Sequence, residues 1–242
     1  PMHHNLDRIA RAARAPSRMI LGMMSGTSAD GVDLALVRID GAGRATRLSE
    51  IRTVEIPWPG PLREAFFSLA YSPDAPLEPV LELERELDRF FGECALKALR
   101  GWSVDPAQVD AIAFSGQTLF HRGRGREAAP GAGAGKVLTL QLGDGDALAR
   151  TTGVPVVCQF RRTHIAAGFE GAPLVPLAEA LLFVGADEDR MLLNLGGIAN
   201  LTWIPAARRS SEAPNARPQS DAPPAHPAPA HSVQPADIPH SH

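Results

Sequence analysis

The chain has 242 residues, long enough for one large domain or two small ones. Its 24 basic and 27 acidic side chains nearly cancel, leaving a net charge of −3, so bulk charge points away from nucleic acid and other polyanions. No apolar run reaches the length of a membrane span. The two cysteines, Cys94 and Cys158, sit inside apolar stretches as small hydrophobes rather than as a disulfide pair. A reducing, cytoplasmic setting with no membrane partner is the expectation.

Residues 1–18 lack the apolar core of a secretory signal and read as a flexible leader. Two apolar strands follow, Met19 to Leu21 and Leu34 to Ile39, around the dodecamer G-M-M-S-G-T-S-A-D-G-V-D at positions 22–33. Strand, turn and strand form a hairpin, and Gly22, Gly26 and Gly31 permit a tight tip. Backbone N–H groups and the hydroxyls of Ser25, Thr27 and Ser28 can donate to anionic oxygens there. The phosphate-holding set is Gly26, Thr27, Ser28, Ala29, Asp30, Gly31, Val32 and Asp33. Because Asp30 and Asp33 repel a bare phosphate, they imply a positive partner, most simply a hydrated Mg2+ riding on it. An ordinary Gly/Ser/Asp turn is the alternative reading.

Ile51 to Ile56 alternates as a third strand. Residues 78–100 carry Val80, Leu83, Leu87, Phe90, Phe91, Cys94 and Leu99 at helical spacing, with Gly101 at the C-cap position, so this is a core-facing helix. Asp110 to Phe114 predicts a short buried strand ending at Ser115-Gly116. Gln117 and Thr118 just beyond it can bond a sugar or orient water, or simply cap a turn. Residues 123–135 form a polar, Gly-rich loop. Gly131 to Val137 imitates a Walker A loop but fails, with Pro130 at the first glycine position and Val137 in place of Ser or Thr. Val137 to Leu142 and Val154 to Phe160 read as two further strands, and Ala172 to Phe183 as a helix. Asp144 and Asp146 either cap the helix starting near Ala147 or add metal-bound water or sugar contacts. Residues 190–204 predict two apolar strands around Gly196-Gly197, a weaker repeat of the opening hairpin with Asn194 at its rim. From 206 to 242 no apolar periodicity survives. Nine of the 22 prolines lie between Pro205 and Pro239, so a disordered tail is expected, its scattered histidines unsuited to a structural metal site.

The dodecamer resembles the ATP-phosphate hairpin of the anhydro-N-acetylmuramic acid kinases, sugar kinases of the actin/hexokinase/Hsp70 superfold. Four further segments match in the same order: F-S-G-Q-T at 114–118, L-T-L-Q-L-G-D-G at 138–145, Phe160-Arg161 through G-A-P-L at 171–174, and L-N-L-G-G-I-A-N at 193–200. The resemblance implies an α/β fold. An actin-like, ribonuclease H-like lobe with a mixed twisted sheet covers 19–189, and a second lobe begins at 190–205. It implies ATP and Mg2+, with Mg2+ reached through Asp30 and Asp33, and an amino-sugar substrate whose anhydro ring is opened and phosphorylated at O6. His164 stands at the position of the family's catalytic aspartate and, with Asp30, makes the catalytic pair. Gln117, Thr118, Glu170, Gly171 and Ala172 are the substrate-binding expectation, and Asn194, Gly196 and Gly197 the second phosphate hairpin. Departures from the pattern fall at Ser115, Gln159, His164, Phe169 and Glu170. A neutral imidazole can still serve as a base near pH 7, and Glu170 offers a carboxylate if its loop turns inward. The family's later T-G-P-G-N segment is absent, so a truncated, inactive homologue is the competing expectation. Self-association as a homodimer through an open edge is a third.

Overall fold

The computed structural model describes residues 2–72, 74–123, 136–195 and 199–207. Strands β1 (Ser17–Ser25) and β2 (Gly31–Asp40) form the expected hairpin, in register from Ser17↔Asp40 to Ser25↔Val32. β3 (Arg47–Pro57) adds antiparallel to the far edge of β2. The chain then crosses through helices α2 (Gly60–Leu69) and α3 (Leu77–Gly101) to β4 (Ala111–Arg122), which runs parallel to β1. β5 (Leu138–Leu142) pairs antiparallel with the second half of β4. After helix α4 (Gly145–Thr152), the two-residue β6 (Val156–Val157) pairs parallel with its first half. The sheet order is β3-β2-β1-β4, with β5 and β6 sharing the outer edge of β4. β1, β2 and β3 run antiparallel in turn, β4 and β6 run parallel to β1, and β5 runs antiparallel to β4, so the sheet is mixed, as expected.

Alternation on the strands places Leu21 and Met23 of β1, Val32, Leu34 and Leu36 of β2, and Ile112 and Phe114 of β4 in one buried cluster. The stripe of α3 (Val80, Leu83, Leu87, Phe91, Cys94, Ala98) belongs to the same cluster, as its spacing of three and four residues predicts. Phe91 meets Phe114 edge to face at 5.0 Å. Burial of each such side chain is worth about 1.5–3 kcal/mol. Truncating Phe91 to alanine would cost about 3–5 kcal/mol.

The opening of the chain departs from the sequence reading. The supposed flexible leader holds helix α1 (Met2–Arg14), in which Ala12 is buried and Arg8 is 6% exposed. The Arg8 guanidinium donates to the carbonyls of Gly153 (3.1 Å), Pro106 and Val109. Those acceptors lie 98 to 145 residues away, so nothing local in the sequence announces the anchor.

β4 does not end at Ser115-Gly116. Gly116 takes φ +67°, the register shifts beside it, and the strand bends and continues to Arg122. Conversely, the strand expected over 154–160 shrinks to two residues. Gln159 adopts φ +63°, and Phe160 opens helix α5 (Phe160–Ala166). α6 (Val175–Phe183) starts three residues later than expected, with Pro176 in its first turn, where a missing N–H costs nothing. β7 (Arg190–Leu195) and β8 (Ala199–Ile204) form a two-stranded sheet of their own, pairing Asn194 with Asn200. Gly196, Gly197, the loop at 124–135 and the tail from 208 lie outside the described residues.

Candidate functional site

The hairpin tip is braced from beneath. Ser25 Oγ is buried, donates to the Gly31 carbonyl (3.1 Å) and accepts from the Trp58 indole N–H (3.1 Å). The backbone N–H of Trp58 donates to Asp30 O at 2.9 Å. Trp58 in turn packs edge-on against Phe66 of α2 and Phe90 of α3. No local sequence signal marks Trp58, whose indole N–H meets a serine 33 residues away. Gln117 is fully buried, and its amide donates to Gly26 O at 3.1 Å. It therefore pins the turn and does not line the cleft.

Within the turn, Ala29 N–H closes on Gly26 O (3.1 Å) with Ala29 at φ +46°. A left-handed residue inside a tight turn directs successive N–H groups to one side, an anion-receiving shape. Ala29 and Val32 are wholly buried, so these two can offer a ligand only backbone. At Gly31 a Cβ would lie 2.5 Å from the Glu55 carboxylate, so a side chain there would have to displace the exposed Glu55. The Asp30 carboxylate accepts from Ser28 Oγ (2.9 Å) and from the Gly31 N–H (3.0 Å). The Ser28 hydroxyl in particular holds it below the usual carboxylate range. Asp33 is exposed on β2, paired in register with Glu55. Neither aspartate lines the cavity next to the tip, and no cluster of three metal-ligating side chains occurs among the described residues. The turn thus fits phosphate, whereas a divalent cation would have to arrive on the phosphates and take at most single carboxylates from this chain.

That cavity measures about 630 Å3. Met24, Ser25, Gly26 and Thr27 form one wall, Ser115, Gly116, Thr118 and Gln141 the floor, and Gln159, Phe160, Arg161, Thr163 and His164 the other wall. It opens where β1 ends and β4 bends at Gly116. The Gln141 amide reaches Thr139 Oγ1 (2.7 Å) and Thr118 Oγ1 (3.4 Å), so Thr118 is held in the floor.

The far wall is organised by Gly171, at φ +73°, where a Cβ would press on the Ile165 side chain at 2.9 Å. Its N–H donates to His164 Nδ1 (3.1 Å), and its carbonyl accepts from Arg161 (2.9 Å). The His164 ring stacks on Phe169, centroids 4.7 Å apart and 9° from parallel. With Nδ1 accepting, neutral His164 carries its proton on Nε2 and presents a donor, not a lone pair. Glu170 does not line the cavity. A Cβ on Gly123 would lie 3.0 Å from its carboxylate, and its charge acts on His121. Burial, and then Arg161, hold the His121 imidazole below its usual range, with Glu170 opposing. Ala172 is half-buried and also off the lining. Asp144 caps α4 by accepting from Asp146 N–H (2.7 Å), so its carboxylate already has a structural use. Asn194 is exposed on β7, away from these lining residues.

A family model for anhydro-N-acetylmuramic acid kinase matches residues 18–211. The chain belongs to this family.

Among curated relatives, the anhydro-N-acetylmuramic acid kinase of Pseudoalteromonas translucida is 38% identical over 204 residues, 84% of this chain and 50% of that protein. Those of Salinibacter ruber (39%, covering 83% and 50%) and Cupriavidus metallidurans (40%, covering 81% and 49%) are comparable. The chain spans about half the length of the curated relatives it matches. A solved Ppx/GppA family member from Aquifex aeolicus is similar at 14% identity over 82% of this chain and 55% of that one. Its TM-score of 0.26 carries no argument. Of the positions at which the resemblance implies a departure, Ser115, Gln159 and His164 line the cavity, and Phe169 and Glu170 do not. α1 lies wholly ahead of the matched region.

Proposed function

We propose that this chain carries the phosphate hairpin and acceptor-sugar wall of an ATP-dependent kinase for 1,6-anhydro-N-acetylmuramic acid. The observation behind this reading is that one cavity is bounded by the hairpin tip on one side and the 159–164 segment on the other. In the proposed reaction water adds to the anomeric carbon, the bond from that carbon to O6 breaks, and O6 takes the γ-phosphoryl group. The products are N-acetylmuramic acid 6-phosphate and ADP, in cytoplasmic cell-wall recycling. Backbone N–H groups from Gly26 to Gly31 hold the phosphates, Thr118 faces the sugar, and the chain's share is chiefly positioning and charge stabilisation. Mg2+ accompanies the nucleotide, with Asp30 in the turn and Asp33 just beyond it as the exposed carboxylates that would meet it.

His164 occupies the base position with its Nδ1 engaged by Gly171 N–H. It orients water or a sugar hydroxyl through Nε2–H, and takes the water's proton only by releasing Gly171. The test is ADP release with 1,6-anhydro-N-acetylmuramic acid, for this chain and for His164→Asp, beside calorimetric Mg-ATP titration of Thr27→Val and Asp30→Asn. Sugar-dependent ADP release is expected to rise in His164→Asp, since a well-placed base is worth about 10²–10⁴ in rate. Thr27→Val should weaken Mg-ATP about tenfold. Asp30→Asn keeps the acceptor for Ser28 and Gly31 and removes only the charge, so a loss of Mg-ATP affinity there identifies a cation contact. Equal Mg-ATP affinity in all three proteins would sink the phosphate-hairpin reading.

A further inference from the structure

Tyr71, the sole tyrosine of the chain, stands in the turn that follows α2 and has no part in the function above. Its backbone is left-handed, at φ +63°, a conformation that glycine and asparagine enter readily and aromatic residues rarely. Two backbone contacts hold it there. Ala70 closes α2 by donating its N–H to Phe66 O at 2.8 Å, and the Tyr71 N–H donates to Leu119 O at 2.9 Å, beyond the bend of β4. The phenol then reaches the hairpin tip, where it is hydrogen-bonded with the Thr27 side chain. Tyr71 is 47% exposed and is not among the buried residues of the core. A glycine would hold the same backbone without strain, so what the tyrosine adds is its hydroxyl at Thr27. Thr27 lines the cavity and Tyr71 does not, so the phenol acts on a ligand only through Thr27.

We propose that Tyr71 is a positioning residue of the tip: its phenolic O–H donates to Thr27 Oγ1 and so frees the Thr27 hydrogen for donation into the cavity. This rests on the reading of residues 26–33 as the phosphate holder. A threonine hydroxyl has one hydrogen and two lone pairs, and unassisted it rotates to whatever acceptor is near. The phenol is the more acidic of the two hydroxyls and hence the donor of the pair. Burial holds it above its usual range, with Thr27 opposing, so it stays protonated at neutral pH. Hydrogen bonds in series polarise one another, so the Thr27 donor is strengthened as well as aimed. The tie to Leu119 refers Tyr71 to β4, the strand whose Gln117 bonds Gly26 O. Gln117 thereby fixes the backbone of the turn from within the core, and Tyr71 fixes a side chain of it from outside.

The test is calorimetric Mg-ATP titration of the intact chain, Tyr71→Phe, Thr27→Val, Thr27→Ser and the Tyr71→Phe/Thr27→Val double variant, with urea unfolding of each. Tyr71→Phe removes one hydroxyl of an exposed residue. It should unfold with the unmodified chain yet bind Mg-ATP about two- to tenfold more weakly, the worth of one neutral hydrogen bond. Added to Thr27→Val, the same change should weaken binding no further. Thr27→Ser keeps the hydroxyl and should bind like the unmodified chain. Because the chain has one tyrosine, its phenol band in the near ultraviolet reports this contact alone. Mg-tripolyphosphate, which does not absorb there, should shift that band. Unchanged Mg-ATP affinity in Tyr71→Phe overturns the proposal, as does a full additive loss in the double variant. A phenol band unmoved at saturating Mg-tripolyphosphate overturns it without any variant having to fold. In each of those cases Mg-ATP still binds and the phosphate reading of the tip stands. An unmodified chain that binds neither Mg-ATP nor Mg-tripolyphosphate overturns that reading and the proposal together.

Discussion

Replacing Gln117 by methionine separates holding the fold from holding the ligand. Gln117 is wholly buried. Its amide N–H bonds Gly26 O at 3.1 Å, and its Oε1 meets no protein donor among the described residues. Methionine matches the volume and removes both polar atoms. The lost hydrogen bond costs about 0.5–1.5 kcal/mol. Gly26 O keeps its second donor, Ala29 N–H at 3.1 Å, so no carbonyl is orphaned. Deleting a buried acceptor that lacks a donor recovers up to about 1–3 kcal/mol. Gln117→Met is therefore expected to lie within about 1 kcal/mol of the unmodified chain, or to be stabilised. Gln117→Ala, which leaves a hole, should lose about 2–4 kcal/mol. Mg-ATP affinity should nonetheless fall several-fold in Gln117→Met, because the turn loses its tether to β4 while keeping its own backbone bond. Urea unfolding and calorimetry on the three proteins decide it. Unfolding free energy more than about 3 kcal/mol lower in Gln117→Met would refute the polar accounting. Unchanged nucleotide affinity in a fully stable Gln117→Met would refute the tether.

Gly171→Ala should weaken acceptor-sugar binding while keeping Mg-ATP. The left-handed backbone costs an alanine about 1–2 kcal/mol, Ile165 must move, and both the His164 and Arg161 contacts are disturbed; unchanged sugar titration would show that the wall tolerates it. Burial pushes the Cys94 thiol up to about 12. The unfolded thiol ionises near 9 while the native one stays protonated, so stability should be full below pH 9 and decline from there toward 12, by at most about 1.4 kcal/mol per pH unit. Cys94→Ala should remove that part of the alkaline slope in pH-dependent urea unfolding, and an unaltered slope would assign it elsewhere. Arg8→Met should lower the unfolding free energy by about 2–4 kcal/mol, since one charged donor serves three carbonyls. A loss under about 0.5 kcal/mol would mean that α1 is held by its apolar contacts alone.

How much of this was legible beforehand follows the range of the interactions involved. α3 shows in the sequence because its apolar spacing and its Gly101 terminus are local and repeated over many turns. The opening hairpin is equally local: alternating strands and small turn residues specify β1, β2 and the tip between them. Gln159 illustrates the opposite case. Val154 to Phe160 has strand composition, yet one left-handed residue converts its end into α5 and so sets the far wall of the cleft. Side-chain roles needed the fold even more. Gln117 and Thr118 are neighbours in the sequence, but one turns into the core to hold Gly26 and the other faces the cavity. Arg8 finds its carbonyls only when residues about a hundred positions apart are brought together. The resemblance of the sequence implies that His164 stands at a catalytic position. Only the fold shows that the Gly171 N–H occupies its Nδ1, which leaves the proton on Nε2. Sequence thus determined which chemistry the residues resemble. Tertiary structure decided which lone pairs and donors remain free to perform it, because hydrogen bonds between distant segments consume them.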